Sequence, residues 1–296
     1  MVVVIAILAA ITVVAYRGVA NNAQSAALKA NLSQAATKLE TYKIDNSGYP
    51  PDQATVAGLV KFDPSTILTY AASNTTGSPA YCLIATSGTQ QFSVSSANNT
   101  PSANTCAINL VANPALAIGS TSWSLYGGAG GTVSGALDST VTSGFPVQTS
   151  YVETWSVACT DGKGGFFYAP VQVDAGNTYG VSVYAQSSVT RKLTLRIDVK
   201  NSTGGTITSV SGPSVAVTAG VSARLSQTIV TPAAAATLTV SLQGAGDVNW
   251  KVGDTLRASG LMVTEGSNLY NYADGNSPGW NWTGTPNAST SFGPPL

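Results

Sequence analysis

At 296 residues the chain is long enough for two domains of ordinary size, each with its own core. Its 13 Lys and Arg balance 13 Asp and Glu, so no basic surface is available to hold a phosphate backbone, and nucleic acid is not an expected partner. Histidine, the commonest general base and metal ligand, is missing, and with 9% charged residues and 30 glycines the composition fits a secreted, loop-rich β protein better than a cytosolic enzyme.

The chain begins with MVVVIAILAAITVVAY, uncharged from Met1 to Tyr16 and followed by Arg17. The run is short of the about 20 residues a lone membrane-spanning helix needs. It also lacks the preceding positive charge and the small-residue cleavage site of a secretory signal. From Val19 to Ser47 no glycine or proline interrupts the chain, and Leu28, Leu32, Ala35, Leu39 and Tyr42 recur at the steps of four and three that line one helix face. This predicts that the apolar run continues through Gly18 into an amphipathic helix ending near Asn46-Ser47-Gly48-Tyr49-Pro50-Pro51. At about 1.5 Å per residue the helix is a rod of roughly 65 to 70 Å. One end is apolar on all sides, as suits first a membrane and then a bundle of identical rods, and the other end is apolar on one side only.

From Ala54 to Ile108 short apolar runs alternate with turn residues, and residues 81–85 and 91–94 read as strands with Gly88 between them. Cys82 and Cys106 flank a segment rich in Ser, Thr and Asn, so a disulfide there would pin the two ends of a hairpin with a long loop. Cys159 is left over, either buried as a small apolar residue or available for intermolecular pairing.

The run VVVIAILAAITVVAYRG, its Ala-rich amphipathic continuation and the closing DNSGYP resemble type IV pilins, especially those of Gram-positive and related bacteria, over residues 1–108. The resemblance implies an antiparallel head sheet packed against the amphipathic half of the helix, and a cysteine pair that staples the head. It further implies assembly through the apolar helix, with the faces of Val4, Leu8, Ile11 and Ala15 buried against neighbouring subunits. The family's mature N-terminus has a methylated aromatic residue and, a few positions on, a glutamate, and neither is present here. The resemblance therefore places the mature N-terminus upstream of Met1.

Beyond Asn109 one strand pattern follows another. Leu193, Leu195, Ile197 and Val199 alternate with Thr194, Arg196, Asp198 and Lys200, a strand with one buried and one wet face. Tyr179, Val181 and Val183 alternate likewise, as do Leu238, Val240 and Leu242, with Gly- and Asn-containing turns between the runs. NLVANPALA, YVETW, VDAGNTYGVSVYAQSS, VGDTLRASGLMVTEG and the tail YADGNSPGWNWTGTPNASTS are similar to jelly-roll carbohydrate-binding modules and related domains of phage tail and actinobacterial surface proteins. The resemblance implies a surface module with a glycan ligand. Trp280 and Trp282 stand two apart, so in an extended segment both rings face one way, either as a platform for a sugar or as the closure of the core. Trp123, Trp155 and Trp250 read as core or rim residues. Glu153, Asp254 and Glu265 fall near strand ends, as solvated carboxylates or as ligands of a structural calcium, with no compact loop motif for the latter. Without histidine there is no Ser-His-Asp or Cys-His system, and no phosphate-cradling glycine motif is present.

The sequence thus predicts an α+β chain: an N-terminal pilin helix over 1–50, a small antiparallel head sheet over 51–108, and an all-β jelly-roll sandwich over 109–296. The expected role is a non-enzymatic structural subunit of an extracellular pilus-like filament, membrane-embedded before assembly, whose partners are identical or related subunits and a surface glycan. A membrane-anchored or secreted glycan-binding protein that does not polymerise, and a pseudopilin of a secretion system, are the alternatives. No cofactor or metal is expected.

Overall fold

The structure is a computed structural model that describes residues 2–74, 79–103, 105–140 and 142–295, with side chains from residue 17 onward. The chain divides into two compact units, Met1–Cys106 and Ala107–Leu296. The sequence reading put residues 107 and 108 in the first of these; they belong to the second.

In the first unit Val2–Asn46 is a single helix, α1. The side chains of Val4, Leu8, Ile11 and Ala15 lie outside the described residues. Among the described residues no helix is long and apolar enough to cross a membrane. Leu28, Leu32, Ala35, Ala36 and Leu39 form the buried stripe of α1, whereas Arg17 to Gln24 are exposed. α1 stops where Ser47 takes a positive φ of 59°, followed by Gly48. A Cβ on Gly48 would lie 2.9 Å from Oδ1 of Asn74, whose carboxamide accepts from the Tyr49 backbone N–H at 2.7 Å and donates to its carbonyl at 2.9 Å. Gly48 thereby lets Asn74 tie the helix exit to the sheet. A short helix, α2 (Gln53–Leu59), starts at Asp52, which caps it by accepting from the Thr55 N–H.

Four antiparallel strands follow, β1 (Ile67–Ser73), β2 (Ala80–Ser87), β3 (Gln90–Ser95) and β4 (Asn98–Ser102), paired in chain order. Tyr81, Leu83 and Ala85 of β2 and Phe92 and Val94 of β3 share one core with the α1 stripe, Tyr49, Val56 and Val60. The disulfide Cys82–Cys106 is formed, with a Cα–Cα distance of 6.1 Å.

The second unit opens with β5 (Ala107–Asn109). It continues through β6 (Trp123–Tyr126), β7 (Thr132–Asp138), β8 (Ser150–Val157), β9 (Gly165–Gln172), β10 (Thr178–Ser187), β11 (Arg191–Lys200) and β12 (Thr206–Ser211). Then come β13 (Val215–Val217), β14 (Ser222–Val230), β15 (Thr237–Gly244), β16 (Thr255–Glu265), β17 (Asn281–Trp282) and β18 (Ser291–Gly293). One antiparallel sheet has the order β14-β10-β16-β8-β7, and the other β12-β11-β15-β9-β6, with β13 also paired to β11. Apart from the hairpin β7–β8 and the run β11 to β13, each connection from β6 to β16 crosses to the other sheet, which is the wiring of a jelly roll. The alternating residues of β10, β11 and β15 point between the sheets and form the core with Leu256, Ala258, Leu261 and Val263 of β16.

Trp155, Trp250 and Arg191 stack in one column at the edge of this core: the indoles lie 3.8 Å apart at 4°, and the Arg191 guanidinium carbon is 3.1 Å from the Trp250 ring centre. Arg191 is 2% exposed, donates to the Val248 carbonyl at 3.2 Å and stands 3.7 Å from Asp254. Cys159 is a buried free thiol that accepts from the Trp250 N–H.

The middle of the outer face of the five-stranded sheet, over β10 and β16, is covered, whereas Ser134 and Ala136 of β7 and Thr228 and Val230 of β14 are exposed. In the covered middle Met262 and Tyr184 pack with Ala107, Tyr272, Ala273 and Trp280. The sheet β17-β18-β5 belongs to this cover, which joins the first and last segments of the unit. Asn109, wholly buried, fastens it: Oδ1 accepts from the Val111 and Val263 N–H groups and Nδ2 donates to the Leu261 and Ala273 carbonyls. Trp280 and Trp282 are 5% and 7% exposed. Their rings lie over Gly293 and Gly275, where an added Cβ would come within 2.4 and 2.3 Å, and their indole N–H groups donate to the Pro294 carbonyl and Asn276 Oδ1. The platform reading of these two residues is therefore corrected, because neither ring has a free face.

Two outcomes follow for stability. Reducing the bridge, whose ends are 24 residues apart, is expected to lower the stability of the first unit by about 3 kcal/mol, read as an earlier thermal transition with reductant than without. Trp280→Ala is expected to destabilise the second unit by about 3 to 5 kcal/mol. A melting temperature equal to that of the parent would return Trp280 to the surface.

Candidate functional site

With the middle of the other sheet covered, the outward side chains of the six-stranded sheet are the candidates for a site. Strand register sets them in rows. One row runs Thr194, Gln243, Gly165, Tyr126 across β11, β15, β9 and β6. Beside it run Ser211, Arg196, Ser241, Phe167 and Ser124, from β12 to β6. A third joins Ser209, Asp198 and Thr239. Gly165 puts no side chain between Gln243 and Tyr126, and nothing larger fits there: a Cβ would stand 2.0 Å from the Leu242 carbonyl oxygen.

These rows line a groove made of two adjoining hollows of about 300 and 680 Å³, which share Tyr126, Arg196 and Gln243. Tyr126 at one end is 46% exposed, and Phe167 is half-buried. Arg196 is held in place: Nε donates to Asp198 Oδ1 at 2.9 Å and Nη2 to Ser209 Oγ at 3.2 Å. Asp161 and Lys163 stand at the rim, and Asp161 Oδ1 accepts from the Ala129 and Lys163 backbone N–H groups. Hydroxyl, amide and guanidinium groups beside an exposed aromatic ring can hydrogen-bond a polyol and cover its C–H face.

The carboxylates singled out from sequence are elsewhere. Glu153 and Glu265 are 0% and 5% exposed, which corrects the solvated reading of both. Tyr151, Glu153 and Trp155 share the inward phase of β8, so alternation carries Glu153 into the core. Asp254 stands beside Arg191 and accepts from the Lys251 N–H at 2.9 Å. Among the described residues no group of three or more His, Cys, Asp or Glu is placed to hold a metal ion. Glu265 accepts from Asn177 Nδ2 at 2.9 Å, and burial, with Asp174 nearby, pushes its carboxyl up to about 8. Neither Glu153 oxygen has a well-formed hydrogen bond among the described residues. Burial pushes that carboxyl up to about 9, against a smaller pull from the poorly aligned Tyr126 N–H.

Tyr126, Arg196, Asp198 and Gln243 were not singled out as site residues from sequence. The alternation in β11 does place Arg196 and Asp198 on a wet face, but nothing in it says which outer face stays open.

No protein-family model matches the chain, and no curated protein matches it in sequence. Among solved structures, the chain is similar to the CBM22-1 xylan-binding domain of Paenibacillus barcinonensis Xyn10C, with 15% identity and a TM-score of 0.42 over 57% of this chain and 100% of that one. It is also similar to the enzymatically active domain of bacteriophage CBA120 tailspike protein 4, with 16% identity and a TM-score of 0.42 over 53% of this chain and 21% of that one. A carbohydrate-binding module of family 4 gives 18% identity and a TM-score of 0.36 over 51% of this chain and 90% of that one. Likeness this low transfers neither a ligand nor an activity.

The protonation of Glu153 gives a pH test. The folded protein keeps to about pH 9 a proton that the unfolded chain releases near the ordinary glutamate value of 4.5, so stability falls as pH rises through that window, by about 1.4 kcal/mol per unit for this one group. Glu153→Gln is expected to remove that share of the slope in denaturant titrations across the window, leaving the share of Glu265 between the same ordinary value of 4.5 and about 8. An unchanged slope would show Glu153 to be solvated.

Proposed function

We propose that the second unit is a glycan-binding module and that its groove, from Tyr126 to Ser211 and Gly212, is where the sugar chain lies. The observation that carries this is a groove on the six-stranded sheet whose register aligns an exposed tyrosine with a row of hydrogen-bonding side chains. Five strands at about 4.8 Å spacing give the rows a length of roughly 19 Å, enough for several sugar rings rather than one. The role proposed is binding without catalysis, at the outside of the cell. Tyr126→Ala and Gln243→Ala are each expected to weaken binding about tenfold or more while the melting temperature of the module stays within experimental error, since both side chains face solvent. Affinity electrophoresis of the full chain in polysaccharide gels measures this. Binding that survives both substitutions would move the site off this face.

A second reading concerns the first unit, and one observation favours it. α1 is a single helix of 45 residues, about 68 Å long, while its contribution to the core spans only Leu28 to Leu39. The residues before that stripe need another cover, and identical helices in a pilus-like filament would supply it; a membrane anchor would serve as well. Electron microscopy of the assembled protein distinguishes the two. Filaments that still form when residues 2–27 are deleted would exclude assembly through this helix.

A further inference from the structure

We infer that the groove takes an uncharged polysaccharide and that Arg196 is the residue that sets this selectivity, an inference that rests on the glycan-binding reading. The lining holds two cations, Lys163 and Arg196, and two anions, Asp161 and Asp198. Arg196, the cation in the middle of the rows, is paired with Asp198 at 2.9 Å. At the distance of a ligand lying on the sheet such a pair is a dipole rather than a charge, so a uronate or sulfate meets no net attraction there and must give up hydration to enter.

The same pairing makes Arg196 a better donor to neutral partners. With Nε on Asp198 and Nη2 on Ser209, the guanidinium plane is fixed in two directions, and Nη1, which has no partner among the described residues, remains for ligand hydroxyl or ring oxygens. Gln243 and Ser241, on the adjacent strand, offer amide and hydroxyl groups suited to paired hydroxyls.

The test uses the full chain in affinity electrophoresis against mannan, glucomannan and mixed-linkage β-glucan as uncharged polymers, and polygalacturonate and alginate as acidic ones, at low and high salt. Retardation by at least one uncharged polymer is expected, with an affinity that changes by less than about twofold with salt, because no counterions are released. Asp198→Asn leaves the Arg196 charge uncompensated. It should raise the affinity for the acidic polymers by about tenfold at low salt, and the gain should vanish at high salt. Arg196→Gln should weaken binding to the uncharged polymer without creating any acidic binding, and circular dichroism of both variants checks that the sandwich is intact. If the parent chain prefers acidic polymers with a steep salt dependence, the inference is overturned while the glycan reading stands. An Asp198→Asn variant with unchanged selectivity overturns the role of Arg196. Binding to neither class ends the glycan reading and this inference with it.

Discussion

A sandwich of two sheets has two outer faces, and the second unit depends on covering the middle of one of them. Asn109 is the fastening. Its carboxamide makes four hydrogen bonds to backbone groups near the start of the unit, on β16 and in the C-terminal segment, so it is fully satisfied in a place without water. With the first and last segments tied across β16, Trp280 and its neighbours complete a small second core outside the five-stranded sheet. The groove lies on the other sheet, away from where the termini of the unit are tied down.

The interior carries polar groups that are costly where they lie. Glu153 is neutral in the fold because ionising it without donors would cost far more than keeping its proton. Arg191 is tolerated because the Trp250 indole plane, the Val248 carbonyl and Asp254 replace part of its hydration. Neither side chain lines the groove, although Glu153 lies near the Tyr126 backbone, so the stability of the module and the chemistry of its open face rest largely on different side chains.

What the sequence revealed, it revealed through periodicity. The steps of four and three from Leu28 to Leu39 are the buried stripe of α1, and the alternations in β10, β11 and β15 are inward-facing core positions. Cys82 and Cys106 could be paired from their place around one hairpin. Trp280 and Trp282 show the limit of this. A period of two says that two rings share a side but not whether that side meets solvent or another layer, and here both lie on glycines that are distant in the chain or set in a turn. Glu153 fails for the reverse reason: its charge suggests a wet position, while the phase of its strand, set by Tyr151 and Trp155, carries it inward. The groove was out of reach because its residues come from strands whose neighbours are fixed only by the full topology.

The disulfide has a mechanical meaning. Cys106 is the last residue of the first unit, so tension applied through the second unit passes from Ala107 into Cys106 and across the sulfur bridge to Cys82 on β2. The 24-residue stretch between the two cysteines is bypassed and cannot be drawn out as slack, which removes about 80 Å of extensible chain at roughly 3.4 Å per residue. A module that holds a surface polymer under flow would thus load a strand inside the four-stranded sheet rather than peel the chain from its end. The bridge shortens the path that load takes through the first unit, while the remaining cysteine, Cys159 in the second unit, is a free thiol.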